Sequence, residues 1–452
     1  VNLDKPKLKE THLLVLRWLT FILVIMLFAG YSLRGVIPYN FEQILILMFF
    51  LGGYVFWKQK KHEVLDRSFN IWLLLLTSYW LSIFLISFYH FSFGEVTVQK
   101  LQIVFLILGF IVLGLTILNL NPSIDYFWYF LIVASMFMAI WLGMELKAHG
   151  LDAVFNATRF GGAYGHPIKF GVYGNGLLIL MLGGFVWAYK KHPLLLILWV
   201  LLVISNLLIV ILSQSRTAWI GWPEAIIGWG GYYLFLILKS SSSKWFKLNI
   251  ISLPLIVLFL ITSSEPVKSV FEKRYMAAVN DIVGYINGDN PYSSLGARFV
   301  MYETSWNLIQ ERPWLGYGAD GFKENFKSQS AYVLNSRFSR SSEGLKYSQV
   351  HNQFLMTWIQ YGIFPVLILL SFFIYILRFF WLGMRSSEPE SKPIFIAGIV
   401  FSVATFMSFM PESPLEYSSY SAHYWLFLTL LFVFAVIEKN KLIEFKESSH
   451  VS

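Results

Sequence analysis

Long apolar runs separated by short polar breaks leave this chain few folds to choose from. They fall near residues 13–33, 41–57, 71–91, 101–118, 126–146, 170–188, 193–212, 217–238, 248–262, 353–377, 394–410 and 422–437. Most run about 17–25 residues, the length of helix that crosses the hydrocarbon of a bilayer. Lipid offers backbone N–H and C=O groups no partner, so spans of this kind close their hydrogen bonds internally, as helices. The marginal runs 248–262 and 422–437, and the thin polar break Ser213–Thr217, leave eleven to thirteen spans open around a count of twelve. Of 452 residues, 56% are hydrophobic and 13% are charged. That charged share is about half the globular norm, and a soluble fold could not cover so much apolar surface. The expected fold is all-α, a polytopic transmembrane bundle with membrane lipids around it and no nucleic-acid partner.

The run Leu13–Leu33 follows Lys5, Lys7 and Lys9 and lacks a short apolar core with a small-residue cleavage site. It reads as a first span rather than a cleaved signal. With the N-terminus inside, the inner segments hold Lys5, Lys7, Lys9; Lys58, Lys60, Lys61, Arg67; Lys190, Lys191; Lys239, Lys244, Lys247; Arg378, Arg385, Lys392; and Lys439, Lys441, Lys446. The short outer loops hold only Arg34, Lys100, Lys147, Arg159, Lys169 and Arg216. This bias is the positive-inside pattern and puts both termini in the cytoplasm. The chain then divides into spans 1–9 (1–262), an outer loop (263–352), and spans 10–12 with a cytoplasmic tail (353–452).

That outer loop, of about ninety residues, is too long for a mere connection. Residues 267–286 predict an amphipathic helix. A second helix starts after Ser293-Ser294 and stops at Pro313, with Phe299, Tyr302, Trp306 and Ile309 at helical spacing. A Gly-rich turn follows, Gly316-Tyr317-Gly318-Ala319-Asp320-Gly321-Phe322. Residues 327–347, rich in serine, read as a mobile polar stretch. No internal repeat supports inverted transporter symmetry.

Several outer arginines run against the orientation bias. Arg216 lies in the tight turn Ser213-Gln214-Ser215-Arg216-Thr217-Ala218-Trp219. Arg159 opens the loop Arg159-Phe160-Gly161-Gly162-Ala163-Tyr164-Gly165-His166-Pro167. Arg298 sits at the head of the second loop helix. A guanidinium stays charged and presents a planar fork that fits phosphate oxygens. Three of them converging would bind a diphosphate; singly, each could snorkel to headgroups or sit in water. His351, in His351-Asn352-Gln353-Phe354-Leu355, opens a span and suits a general base, although interfacial histidines that cap spans are ordinary. Glu224, beside Pro223 and eight residues after Arg216, is an intramembrane acid that could share a cavity with that arginine or form a structural pair. The outer acids Glu95, Glu145, Asp152, Glu412 and Glu416 look scattered. With no cysteine, no phosphate loop and no Asp-x-Asp pair, a cofactor-free, metal-independent mechanism is expected, arginine standing where a divalent cation often does.

These pieces, in this order, resemble the O-antigen ligase and polymerase superfamily of bacterial membrane glycosyltransferases. The loop 159–167 is similar to that family's Arg-x-x-Gly-x-x-x-His-Pro, and Ser213–Trp219 to its Ser-Arg-x-x-Trp turn. Arg298 through Pro313 to Gly318 and Phe322, and His351-Asn352 with Leu355 and Gly362, complete the match over residues 155–365. The first 150 residues match in hydropathy alone. The resemblance implies a GT-C-like bundle in the bacterial inner membrane with a periplasmic site. It implies transfer of a glycan from undecaprenyl diphosphate, with inversion, to lipid A-core. A polymerase or a protein O-oligosaccharyltransferase would use the same donor; a lipid-linked glycan transporter would need neither His351 nor a folded loop. In that scheme His351 is the base, Arg216, Arg298 and Arg159 bind the diphosphate, and His166 and Asn352 are secondary. Where the family often carries an acid before the glycine, Gln360 precedes Tyr361-Gly362, so no acid is assigned there.

Overall fold

The computed structural model describes residues 10–32, 41–59, 66–90, 94–150, 159–162, 166–239, 265–338, 344–345, 349–387 and 391–451. Every regular element among them is helical. In chain order they are α1 (Glu10–Ser32), α2 (Phe41–Gln59), α3 (Arg67–Tyr89), α4 (Glu95–Leu120), α5 (Asp125–His149), α6 (Pro167–Lys191), α7 (Pro193–Ser213), α8 (Arg216–Trp219), α9 (Trp222–Lys239), α10 (Glu265–Ile286), α11 (Ser294–Glu311), α12 (Phe322–Phe338), α13 (Gln353–Tyr361), α14 (Ile363–Ser386), α15 (Lys392–Ser408) and α16 (Ser418–Val451).

Eight of these are long and apolar enough to cross a membrane: α1, α2, α3, α5, α6, α7, α14 and α16. Two shorter apolar helices, Leu106–Leu120 and Lys392–Ser408, accompany them. The chain is therefore a multi-pass helical membrane protein. Of the other runs read as spans, 248–262 lies outside the described residues. The run 217–238 is split between α8 and α9, and Pro223, Glu224 and four glycines dilute its apolar character.

The apolar stretch of α16 is buried throughout. Helices α1, α3, α4, α14 and α15 surround it. Phe432 on α16 stacks on Trp72 of α3 with ring centroids 5.5 Å apart and lies 4.6 Å from Phe379 of α14. Such aromatic pairs contribute beyond their buried area.

A second apolar cluster joins α10, α11, α12 and α13 through Tyr285, Val300, Phe322, Phe326, Leu334 and Met356. The two expected loop helices are present, the second capped by Ser293, whose hydroxyl accepts from Gly296 N–H at 3.1 Å. The polar stretch 327–347 departs from expectation, because it is helical as far as Phe338. Phe326, Val333 and Leu334 are buried against α11 together with Ser330, and Ser328 lies on the exposed face.

The run 353–377 is also not one continuous span. It breaks at Gly362, which holds a left-handed φ of 75° at the end of α13. A side chain there would collide with the Trp314 carbonyl. The freed carbonyls of Ile359 and Gln360 accept the N–H groups of Tyr317 (2.8 Å) and Gly318 (2.9 Å). The Gly-rich turn thus closes the C-terminal end of a nine-residue half-helix whose opposite end carries Asn352 and His351.

Candidate active site

The site is built on two turns. The first is Ser213–Arg216, between α7 and α8. Proline at the first position of both α6 and α7 presets helical φ where an N–H needs no partner. Helix α6 then crosses the end of α7 so closely that a side chain at Gly171 would strike the Ser213 hydroxyl. Phe160 N–H donates to the Leu212 carbonyl at 3.1 Å and so lays the Arg159 segment on this turn. Gln214 is left-handed with φ 49°. For a residue with a Cβ that conformation costs about 1–2 kcal/mol.

The guanidiniums gather on this turn. Arg159 Nε donates to the Ser213 carbonyl at 3.3 Å. Arg216 Nη2 donates to the Arg274 carbonyl at 3.3 Å, and Arg216 Nη1 lies 3.7 Å from Asp281 Oδ2. Arg274, on α10, donates to Gln214 Oε1 at 3.2 Å. Desolvation and then the charge of Arg216 hold Arg159 below the usual guanidinium range. Desolvation, then Arg159 and Arg216, do the same to Arg274. These mutual repulsions report like charges at close quarters.

The second turn, Met410–Ser413, links α15 to the short 3-10 turn Pro414–Glu416 and carries Glu412. This carboxylate is a hub and is only 8% exposed. Its Oε1 accepts from Arg298 Nη2 at 3.2 Å and from Thr217 Oγ1 at 3.4 Å. Its Oε2 lies 3.2 Å from His351 Nδ1. His351 also sits in the left-handed region, with φ 51°. Its surroundings fix that conformation. The Tyr302 hydroxyl donates to the His351 carbonyl at 3.0 Å, Asn352 N–H to Ser413 Oγ at 3.1 Å, and Gln353 N–H to the Phe409 carbonyl at 2.8 Å. Strained backbone held by several independent contacts is typical of sites built for chemistry. Burial raises the Tyr302 hydroxyl above its usual pKa, with Arg298 opposing and Glu412 adding.

Of the residues singled out in the sequence, Arg159 and Arg216 share the first turn, and Arg298 and His351 share the second. Thr217 follows Arg216 directly and touches Glu412, which joins the two. His166 lies nearby. Desolvation, then Lys169, lower its pKa, and Glu412 opposes. Asn352 has a structural task, its Oδ1 accepting from Leu355 N–H at 3.0 Å as the N-cap of α13. Glu224 lines a different place, a groove of about 680 Å³ between α9, α14 and α15 shared with Arg385 and Lys392. Its Oε2 is buried and has no hydrogen-bond partner among the described residues.

Two participants escaped the sequence reading. Glu412 is not a scattered acid but the centre of the second turn; its bracket Pro411-Glu412-Ser413-Pro414 is the one local sign of a fixed loop. Arg274 looked like one more charge on an amphipathic helix.

The fold and site together define a multi-pass helical membrane protein that presents arginines, a histidine and a buried carboxylate at one pair of turns. Residues 200–370 match the family described as O-Antigen ligase, which bears out the superfamily resemblance over that stretch. The matched segment contains Arg216, Arg274, Arg298 and His351; Arg159, His166 and Glu412 lie outside it. An uncharacterized protein of Haemophilus influenzae (strain ATCC 51907 / DSM 11121 / KW20 / Rd) is 32% identical over 214 residues, 47% of this chain and 51% of that protein. A protein of Escherichia coli (strain K12) named O-antigen ligase is 25% identical over 177 residues, 39% of this chain and 38% of that one. The chain thus spans about half the length of the first relative and less of the second.

Proposed function

We propose that this protein is an inner-membrane glycosyltransferase of the O-antigen ligase type. It takes a glycan from undecaprenyl diphosphate and passes it to a hydroxyl of lipid A-core. The observation that carries this reading is His351 Nδ1 held 3.2 Å from the buried Glu412 carboxylate, one residue contact away from the arginine-bearing turn. With Nδ1–H donating to Glu412, Nε2 keeps its lone pair and can take a proton. The acceptor hydroxyl loses its proton to Nε2 as its oxygen attacks the anomeric carbon. The bond from that carbon to the diphosphate oxygen breaks, its electron pair leaves with the diphosphate, and the configuration inverts. Diphosphate leaves readily once its charge is met, and Arg159, Arg216 and Arg298 meet it. Glu412 stabilises the imidazolium that forms. In this scheme about twelve spans form a GT-C-like bundle, the termini are cytoplasmic and the site is periplasmic, so donor and acceptor reach it from the outer leaflet.

The test supplies the purified protein with undecaprenyl-diphosphate glycan and offers lipid A-core or a second donor molecule. Extension of lipid A-core supports the ligase; extension of the second donor makes the enzyme a polymerase. His351→Ala should keep donor binding and lose transfer by about 10²–10⁴-fold, the usual range for a general base. Transfer at the full wild-type rate would remove His351 from the mechanism.

A further inference from the structure

We propose that Arg274 is a direct ligand of the donor's diphosphate, completing with Arg159 and Arg216 an anion pocket on the turn Ser213–Arg216. The inference rests on the diphosphate reading of the site and adds to it a residue that the motifs do not contain.

All three arginines grip the same four residues. Arg159 reaches the carbonyl of Ser213 (3.3 Å), Arg274 reaches the side chain of Gln214 (3.2 Å), and Arg216 belongs to the turn and reaches back to the Arg274 carbonyl (3.3 Å). Their positive charge is poorly answered. Among the described residues neither Arg159 nor Arg274 has a carboxylate within 4.0 Å, and Arg216 has only Asp281, at 3.7 Å. Asp281 also accepts the Leu295 N–H at 3.3 Å. Three cations with one carboxylate, held by Arg216 alone, leave a net charge of two. Desolvation and mutual repulsion both act against Arg159 and Arg274 in this arrangement. A fold that holds like charges together at such a cost is preorganised for a multiply charged anion. A diphosphate supplies that charge, and its oxygens suit several guanidinium forks at once. Arg298, by contrast, already has its counter-charge in Glu412 at 3.2 Å. The geometry makes Arg274 better suited than Arg298 to accept a new anion.

The experiment measures inorganic diphosphate binding by calorimetry to the full chain in phosphatidylcholine nanodiscs, alongside its melting midpoint without ligand. Arg274→Ala should weaken binding by about 10–100-fold, the range for a hydrogen bond to a charged group. The midpoint should hold or rise, because a repelling charge has gone. Arg274→Lys should recover part of the affinity, a point charge replacing the fork. Wild-type affinity in the alanine variant overturns the proposal and leaves the diphosphate reading intact. A parallel fall in midpoint and affinity also overturns it, by making Arg274 structural. If the alanine variant does not fold, unchanged affinity in Arg274→Lys overturns the proposal and a severalfold loss supports it. Absence of diphosphate binding by the wild type defeats the reading of the whole site. Equal displacement of diphosphate by phosphatidylglycerol added to the nanodisc makes the pocket a lipid-headgroup site and overturns the donor assignment.

Discussion

The two turns of the site use arginine in opposite ways. Around Glu412, the single guanidinium of Arg298 is matched by a buried carboxylate, and the histidine is tied to the same group. Around Ser213–Arg216, among the described residues, three guanidiniums have a single carboxylate near them, Asp281, 3.7 Å from Arg216. The first arrangement satisfies itself and holds a ring nitrogen in one orientation. The second, on the proposed reading, is completed by an anion. On the proposed reading the counter-charge grades the arginines: Arg298, held by Glu412, contributes less to diphosphate binding than the unmatched arginines of the first turn. Thr217 lets the two neighbourhoods meet while keeping their charges on separate sides of one residue.

Substitutions that act on only one turn test this division. The largest effect is expected from Glu412→Gln, which keeps the shape and removes the charge. Transfer should fall by about 10²–10³-fold while diphosphate affinity stays within about twofold, since the group acts through the histidine. Equal losses in both measurements would show that the two turns are a single unit. Arg216→Lys should act the other way, lowering diphosphate affinity by about tenfold with a smaller effect on the turnover of bound donor. Undiminished affinity would mean that a point charge suffices on that turn. The smallest effect concerns His166. Its folded pKa lies below the ordinary value of 6.5, so at mildly acidic pH the unfolded chain binds a proton that the folded chain does not. Stability from this residue is present above 6.5 and is lost as pH falls from there through the lowered value. The gap in melting midpoint between wild type and His166→Asn should therefore change as pH falls below 6.5, whereas a constant gap would mean that His166 titrates as in water.

What the sequence reveals and hides here follows from range. The spans were legible because lipid imposes a length on each apolar run. Arg159, Arg216, Arg298 and His351 were legible because each stands against its setting, a charge against the expected orientation bias or an imidazole at the head of a helix. Glu412 lies 61 residues from His351, and nothing in its own neighbourhood announces the partner. Arg274 belongs to a helix whose other charges are ordinary, and only packing against Gln214 sets it apart. The break at Gly362 stayed hidden because hydropathy carries no information about φ. The helix that ends at Phe338 stayed hidden because its serines outweigh a sparse apolar face.

The buried position of α16 bears on how the molecule is made. Chains enter the membrane in order of synthesis, at about 5–20 residues per second. The earlier spans are therefore made before the helix around which α1, α3, α4, α14 and α15 close. Until residue 418 and beyond emerge, those helices lack the central helix they pack against. The turn carrying Glu412 comes off the ribosome immediately ahead of α16, and Ser413 and Leu415 then dock onto Asn352 and Gln353. Closure of the bundle and completion of the charge network thus fall in the same interval of synthesis, so a half-made chain carries the arginine-bearing turn without the carboxylate that contacts Thr217, Arg298 and His351.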